Sequence, residues 1–201
     1  MHRLILCLVL LMVINTTPMA VADDGDHNQS HRVRVHLSGF NEVHFVAGDP
    51  TATPIVPPAL RGAISTAASG KFVAEIDEEN DIIHYTLSYK GLESDVTQAH
   101  IHFGQRHTVG GIVIWLCQTA GTRAPAAVDA LTPFCPGPRE GTVEGTITPA
   151  QVLAQAAQGI AAGEFDELVR AIRAGATYAN VHSTLFPPGE IRGHIPGSHD
   201  D

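Results

Sequence analysis

Apolar and polar residues alternate with a period of two along most of the chain after residue 31. Successive side chains of a β-strand point to opposite faces, so this pattern predicts strands with one buried face. A polar turn at 78–81 separates two long alternating runs, which is typical of a β-hairpin. The predicted strands lie at 33–37, 70–77, 82–89, 99–103, 112–116, 142–147, 178–183 and 190–195, with a shorter one at 43–46.

The period changes after residue 147. Thr148 and Pro149 match the start signal of a helix, so 149–158 is predicted as a short helix. The next segment, 164–174, is predicted as a longer helix that ends at Gly175. Its apolar residues follow the spacing i, i+3, i+4 and i+7: Phe165, Leu168, Val169 and Ile172.

About eight strands, with one helical insert before the last two, predict an all-β, antiparallel β-sandwich. Strands and helices do not alternate along the chain, which argues against a doubly wound α/β fold. The run at 112–116 is apolar on both faces, which favours a central strand covered on both sides.

The N-terminus resembles an export signal. A basic start, an apolar run at 4–14 and the motif Ala20-Val21-Ala22 predict a signal peptide at 1–22. Residues 23–31 are polar and predict a flexible lead-in, residues 32–195 the folded domain, and 196–201 a frayed tail. We therefore expect a periplasmic or secreted protein with no membrane anchor once the signal is cleaved, and an unknown extracytoplasmic partner.

The chain is acidic, with a net charge of −9. Nucleic-acid-binding proteins present clustered positive charge, so this composition argues against a nucleic acid partner. Motifs of serine hydrolases, P-loop nucleotide-binding proteins, zinc proteases and dinucleotide-binding enzymes are absent from the sequence.

Two cysteines, Cys117 and Cys135, lie outside the predicted signal peptide. In an exported chain two cysteines most often form one disulfide, which is the prediction here. A pair of thiolate metal ligands is the alternative.

The candidate metal-binding residues are histidines. His100 and His102 lie two residues apart and share a strand face, while Ala99, Ile101 and Phe103 point to the core. His182, on a later strand, could supply a third imidazole. Imidazole suits copper, zinc, nickel and iron. The predicted metal ligands are His100, His102 and His182, with a fourth drawn from His107, His194, His84 or His36.

Four other polar or aromatic residues have structural interpretations. Glu190 and Arg192 share a face of the last strand and are expected to form an ion pair, with guidance of an anion by Arg192 as the alternative. Asn180 is expected to hydrogen-bond to the backbone. Trp115 is expected to pack in the core or between sheets.

Four segments together resemble the CHRD domain, first named from chordin. They are 37–43 (LSGFNEV), 99–104 (AHIHFG), 175–183 (GATYANVHS) and 188–193 (PGEIRG). The resemblance runs from about residue 32 to 195 and implies a Greek-key, immunoglobulin-like sandwich. The chain departs from the family pattern at His44-Phe45, which opens a long insert, and at His194, where glutamine is usual.

A more distant likeness is to copper–zinc superoxide dismutase, another Greek-key sandwich that holds copper through a His-x-His strand and a later histidine. His100, His102 and His182 resemble that arrangement, but its zinc-binding loop has no counterpart. The leading hypothesis is therefore a non-enzymatic exported module with a surface histidine site for copper or zinc. The alternative is a mononuclear copper redox protein with superoxide dismutase-like activity.

Overall fold

A computed structural model describes residues 31–43, 45–46, 51–55, 59–60 and 62–197. The predicted signal peptide, most of the lead-in and the end of the tail lie outside these residues. Ten strands are present in the described part: β1 (His31–Ser38), β2 (Phe45–Val46), β3 (Ala59–Leu60), β4 (Ser69–Asp77), β5 (Ile82–Lys90), β6 (Val96–Phe103), β7 (Gly111–Cys117), β8 (Gly141–Ile147), β9 (Thr177–Ser183) and β10 (Ile191–Ile195).

Eight of the strands form one antiparallel sheet in the order β7-β6-β9-β10-β1-β4-β5-β8, and β2 and β3 pair separately. Strands β1 and β10 share one register pair, Ser38 with Arg192, so the sheet divides there into two halves of four strands. The chain crosses between the halves after β5, β7 and β8. The predicted all-β antiparallel sandwich is confirmed.

The sheet curls until its two end strands approach each other. The Tyr85 hydroxyl, on β5 next to the end strand β8, donates a hydrogen bond across the core to the carbonyl oxygen of Leu116 on the other end strand, β7, at 2.7 Å. The core lies inside this curl and contains the alternating apolar residues that predicted the strands. Among its largest fully buried side chains are Leu37, Phe72, Ile83, Leu87, Ile101, Ile114 and Ile191.

Strand β7 was predicted to be a central strand, but it lies at one edge of the sheet. It is nevertheless covered on both sides, because Trp115 on its outer face packs against Ala124 and Val128 in the segment that follows.

Of the two helices predicted in the insert before the last two strands, one forms. Helix α1 (Phe165–Arg173) forms with its predicted apolar face buried, and Gly175 follows its end at a φ of +62°. The predicted helix at 149–158 is wrong. Two short 3₁₀ turns form instead, Pro149–Gln151 and Ala156–Gln158.

The backbone between those two turns bonds to other parts of the fold. The amide of Leu153 donates to the carbonyl oxygen of Val113, and Gln155 pairs with Ile160. Tertiary hydrogen bonds therefore replace the helical ones, although Thr148 and Gln151 still form the predicted capping box.

The disulfide between Cys117 and Cys135 is present and closes a loop with a sequence separation of 18. No helix in the described part of the chain is long and apolar enough to cross a membrane.

Replacing both cysteines with serine is expected to lower the free energy of unfolding by about 3 kcal/mol, because the unfolded chain regains the freedom of an open loop. Urea unfolding of the variant, compared with the oxidised wild type, measures this loss. A variant as stable as the wild type would contradict the prediction.

Candidate metal centre

The register between β6 and β9 brings three histidines together. His100 lies opposite Asn180, and His182 lies opposite Gln98, so His182 is the diagonal neighbour of His100 on the same face. Nδ1 of His100 is 3.2 Å from Nε2 of His182. His100, His102 and His182 each offer one ring nitrogen, and these nitrogens lie within 4.8 Å of one another. We call these three residues the triad.

The triad is buried and does not form the surface cluster that the sequence predicted. The exposed fractions are 0% for His100, 7% for His102 and 5% for His182. Strand alternation was interpreted correctly, since all three point away from the core, but the outer face is itself covered. Trp115 lies edge-on to His100 at 4.3 Å between ring centroids, and Tyr178 stacks on His102 at 4.7 Å.

Two backbone carbonyls orient the triad. Nδ1 of His102 is 2.9 Å from the carbonyl oxygen of Gly110, and Nδ1 of His182 is 2.8 Å from that of Pro187. A carbonyl oxygen can only accept, so both Nδ1 atoms carry the hydrogen and donate. In the neutral imidazoles Nε2 of His102 is then left with a free lone pair, and Nε2 of His182 accepts from Nδ1 of His100 at 3.2 Å. This arrangement is typical of metal-binding histidines, whose second nitrogen donates to a carbonyl or carboxylate.

Lone pairs exceed donors inside the site. Nε2 of His100 and Nε2 of His102 are buried and have no hydrogen-bond partner. Nε2 of His182 lies 3.1 Å from Oδ1 of Asn180, which is also an acceptor. Buried polar atoms are rarely left without a partner, and a cation bound to one nitrogen of each ring would take up lone pairs that the protein leaves unpaired. The donor set therefore fits a metal ion.

The electrostatic environment keeps the triad neutral, as metal binding requires. Burial lowers the pKa of His102 and that of His182 to about 4. Burial, with the neighbouring His182 and His102, holds the pKa of His100 well below its ordinary value. At neutral pH all three side chains are free bases.

The proposed fourth histidines lie apart from the triad, which is the only group of its kind among the residues described. His107 is exposed on the turn after β6. His194, on β10, has its Nε2 2.5 Å from the carbonyl oxygen of Gly175. His84 and His36 are exposed on β5 and β1.

The predicted ion pair between Glu190 and Arg192 is wrong. Glu190 is fully buried and accepts hydrogen bonds from the hydroxyls of Thr66 and Ser183 and from the amide of Glu93. Arg192 instead lies 3.3 Å from the centre of the Tyr178 ring. Neutral donors therefore satisfy the carboxyl group.

Sequence reasoning missed the part played by Asn180. Its amide side chain faces the triad, and its Nδ2 lies 3.5 Å from Oε1 of the buried Glu42. The expected bond to the backbone is not seen in the described residues. Its position two residues before His182, on the same strand face, was the available signal.

Surface grooves of about 710, 470 and 270 Å³ on the described part of the protein are lined by residues outside the triad. The groove of about 710 Å³ runs over β1, β4, β5 and β8 and is lined by Lys71 and Lys90 among others. Because each triad residue is at most 7% exposed, the triad is a closed site.

Comparison with known proteins agrees with the motifs and the fold. No curated protein and no solved structure is significantly similar to the chain. The family model of the CHRD domain matches residues 33–195, which is most of the chain and includes the whole triad. The chain thus belongs to the CHRD domain family.

Proposed function

We propose that the protein is an exported CHRD module that binds one copper or zinc ion at His100, His102 and His182 and has a structural or binding role without catalysis. One observation carries the proposal. Three neutral, buried imidazoles converge while two backbone carbonyls hold His102 and His182 with their Nε2 lone pairs directed into the site. Such an arrangement is costly without a cation.

The type of ligand supports copper or zinc. Imidazole nitrogen binds Zn²⁺ and Cu²⁺ well, whereas Mg²⁺ and Ca²⁺ require oxygen ligands. Bonds from zinc to imidazole nitrogen are about 2.0–2.1 Å, so ligand nitrogens of one ion lie roughly 3–4 Å apart. The 3.2 Å between His100 and His182 meets this distance, and small side-chain shifts bring in His102.

Burial supports a role without catalysis. A catalytic metal needs an open coordination position that substrate can reach, whereas a structural metal is enclosed by protein. Trp115 and Tyr178 enclose the triad, and the grooves described above do not reach it.

The disulfide supports an oxidising, extracytoplasmic location, where such bonds persist. Export through a signal peptide at 1–22 is part of the proposal, as is an extracytoplasmic partner. The acidic charge of the chain disfavours nucleic acid as that partner.

Metal retention tests the proposal. Protein purified without chelator or histidine tag is loaded with Zn²⁺ or Cu²⁺, desalted, and its metal counted per chain. We expect one equivalent in the wild type and none in the double variant His100→Ala/His102→Ala. The matched control is His84→Ala, which removes an exposed histidine on β5 and should leave the count unchanged. Equal retention by wild type and double variant would contradict the proposal.

The same samples test the absence of catalysis. Because the triad is enclosed, copper-loaded wild type is expected to remove superoxide no faster than an equal amount of the His100→Ala/His102→Ala variant. Activity that depends on the triad would instead support the copper redox alternative.

A further inference from the structure

We infer that the side-chain oxygen of Asn180 is the fourth ligand of the metal, and that it directs the site toward divalent zinc or copper and away from Cu(I). The inference rests on the proposed metal site and specifies its coordination. It is carried by the contacts of one amide group inside the closed site.

The first step is the position of the oxygen. Oδ1 of Asn180 lies 3.1 Å from Nε2 of His182, and Asn180 is opposite His100 in the register of β6 and β9. The amide therefore lies on the same covered face as the triad, within reach of an ion that His182 binds. Its residue is only 2% exposed.

The second step is the absence of a proton between these two atoms. Nδ1 of His182 donates to the carbonyl oxygen of Pro187, so Nε2 of the neutral ring has a lone pair. The amide oxygen also has lone pairs. The lone pair of Nε2 accepts from Nδ1 of His100 at 3.2 Å, which leaves the amide oxygen without a donor from His182. Two acceptors within hydrogen-bond distance repel each other unless a positive charge lies beside both. A metal ion bound to both atoms removes that conflict.

The third step is the orientation of the amide. Nδ2 of Asn180 faces Oε1 of Glu42, at 3.5 Å, and Oδ1 lies on the opposite side of the amide, 3.1 Å from Nε2 of His182. Gly189 makes this packing possible. A Cβ atom at Gly189 would lie 2.4 Å from Oε1 of Glu42 and 3.0 Å from Nδ2 of Asn180, and the φ of +137° also favours glycine. The oxygen is thus turned toward the triad.

The fourth step is the coordination number. Structural zinc sites have four protein ligands. The triad supplies three, and the described histidines outside it do not join the cluster. An amide oxygen completes a set of three nitrogens and one oxygen. Because oxygen is a hard ligand and Cu(I) prefers soft ones, this fourth ligand strengthens the binding of Zn²⁺ and Cu²⁺ but adds little for Cu(I).

Metal affinities of Asn180 variants test the inference. Zn²⁺ and Cu(I) affinities are measured by competition with chelators for wild type, Asn180→Ala and Asn180→Asp, and Co²⁺ is used as a coloured substitute for zinc. In Asn180→Ala we expect Zn²⁺ affinity to fall about 10–100-fold, Cu(I) affinity to stay within about 3-fold, and the visible Co²⁺ bands to change. Asn180→Asp keeps an oxygen ligand and should retain tight Zn²⁺ binding with shifted Co²⁺ bands. Asn80→Ala, in the turn between β4 and β5, is the matched control.

The outcomes separate this inference from the proposed function. If the Asn180 variants keep the wild-type Zn²⁺ affinity and the wild-type Co²⁺ bands, Asn180 is not the fourth ligand, and the proposed triad site is unaffected. An equal loss of Zn²⁺ and Cu(I) affinity would also overturn it, because that result indicates a purely structural role. A wild type that binds no metal would overturn both. If Asn180→Ala does not fold, Asn180→Asp decides, and wild-type Co²⁺ bands in that variant would overturn the inference.

Discussion

Lowering the pH from about 6.5 to 4 is expected to reduce the free energy of unfolding of the metal-free protein steeply. In the unfolded chain each histidine binds a proton below about pH 6.5. In the folded protein burial lowers the pKa of His102 and His182 to about 4 and that of His100 well below its ordinary value. The unfolded state therefore binds more protons in this range, and stability falls as the pH falls.

Glu42 acts in the opposite direction. Burial raises its pKa to about 7, so between about pH 4.5 and 7 the folded protein keeps a proton that the unfolded chain has lost. Its contribution to stability decreases as the pH rises through that range. Summed over the three histidines and Glu42, the unfolded state binds about two more protons than the folded state between pH 4.5 and 6.5. The free energy of unfolding then changes by about 2.7 kcal/mol per pH unit where its pH dependence is steepest.

Urea unfolding between pH 4 and 8 measures this slope. His100→Ala/His102→Ala removes two of the buried bases, so its stability should depend on pH much more weakly, whatever its absolute stability. The exposed His84→Ala control should keep the wild-type slope. Bound zinc should extend stability to lower pH, since protons must then displace the metal. A wild-type slope that is flat, or equal to that of the double variant, would contradict the burial of the triad as neutral bases.

Replacing Glu190 with alanine is expected to lower the free energy of unfolding by about 3–5 kcal/mol. Its carboxyl group is fully buried and accepts from the hydroxyl of Thr66 at 3.0 Å and from the amide of Glu93 at 2.8 Å. It also accepts from the hydroxyl of Ser183 at 2.5 Å. One side chain thus joins three other segments of the chain. Removing it leaves the Ser183 hydroxyl and the Glu93 amide without an acceptor, each at a cost of about 1–3 kcal/mol, whereas the Thr66 hydroxyl still reaches Oε1 of Glu93.

Chemical unfolding of Glu190→Ala tests this interpretation, with Glu144→Ala on the exposed face of β8 as the matched control. The control should change stability by no more than about 0.5 kcal/mol. Arg192→Ala tests the ion pair that the sequence predicted between Arg192 and Glu190. It leaves the hydrogen bonds of Glu190 in place, because Arg192 forms no ion pair with Glu190 among the described residues. Loss of stability that is no larger in Glu190→Ala than in the control would refute the network.

The strand pattern and the triad could be predicted because both follow from the period of two. The alternation of Val33, Val35 and Leu37 predicts β1. The spacing of His100 and His102 places them on one face, and the same rule applied to β9 places His182. The pairing of β6 with β9 then brings the two strands together, which the period of two alone does not determine.

The burial of the triad could not be predicted in this way. Alternation tells which face a side chain occupies, but not what lies above that face. The cover comes from Trp115, Tyr178 and the carbonyl groups of Gly110 and Pro187. The positions of those carbonyls depend on the turns after β6 and β9, which have no period to reveal them.

The prediction of a helix at 149–158 was wrong for a related reason. Its start signal was real, and the capping box formed, but Leu153 and Gln155 form hydrogen bonds with Val113 and Ile160. Those partners are distant from the segment or lie beyond its end, so local propensity could not reveal the competition. Helix α1, whose apolar face packs on the core, formed as predicted.

A crystal structure of zinc-loaded protein, with diffraction data collected at the zinc absorption edge, locates the metal directly. We expect one strong anomalous peak inside the protein, at about 2.0–2.1 Å from a ring nitrogen of each of His100, His102 and His182. Refinement would also show whether Oδ1 of Asn180 is the fourth ligand. A triad without a peak, or zinc bound only at exposed histidines such as His84 and His36, would contradict the account.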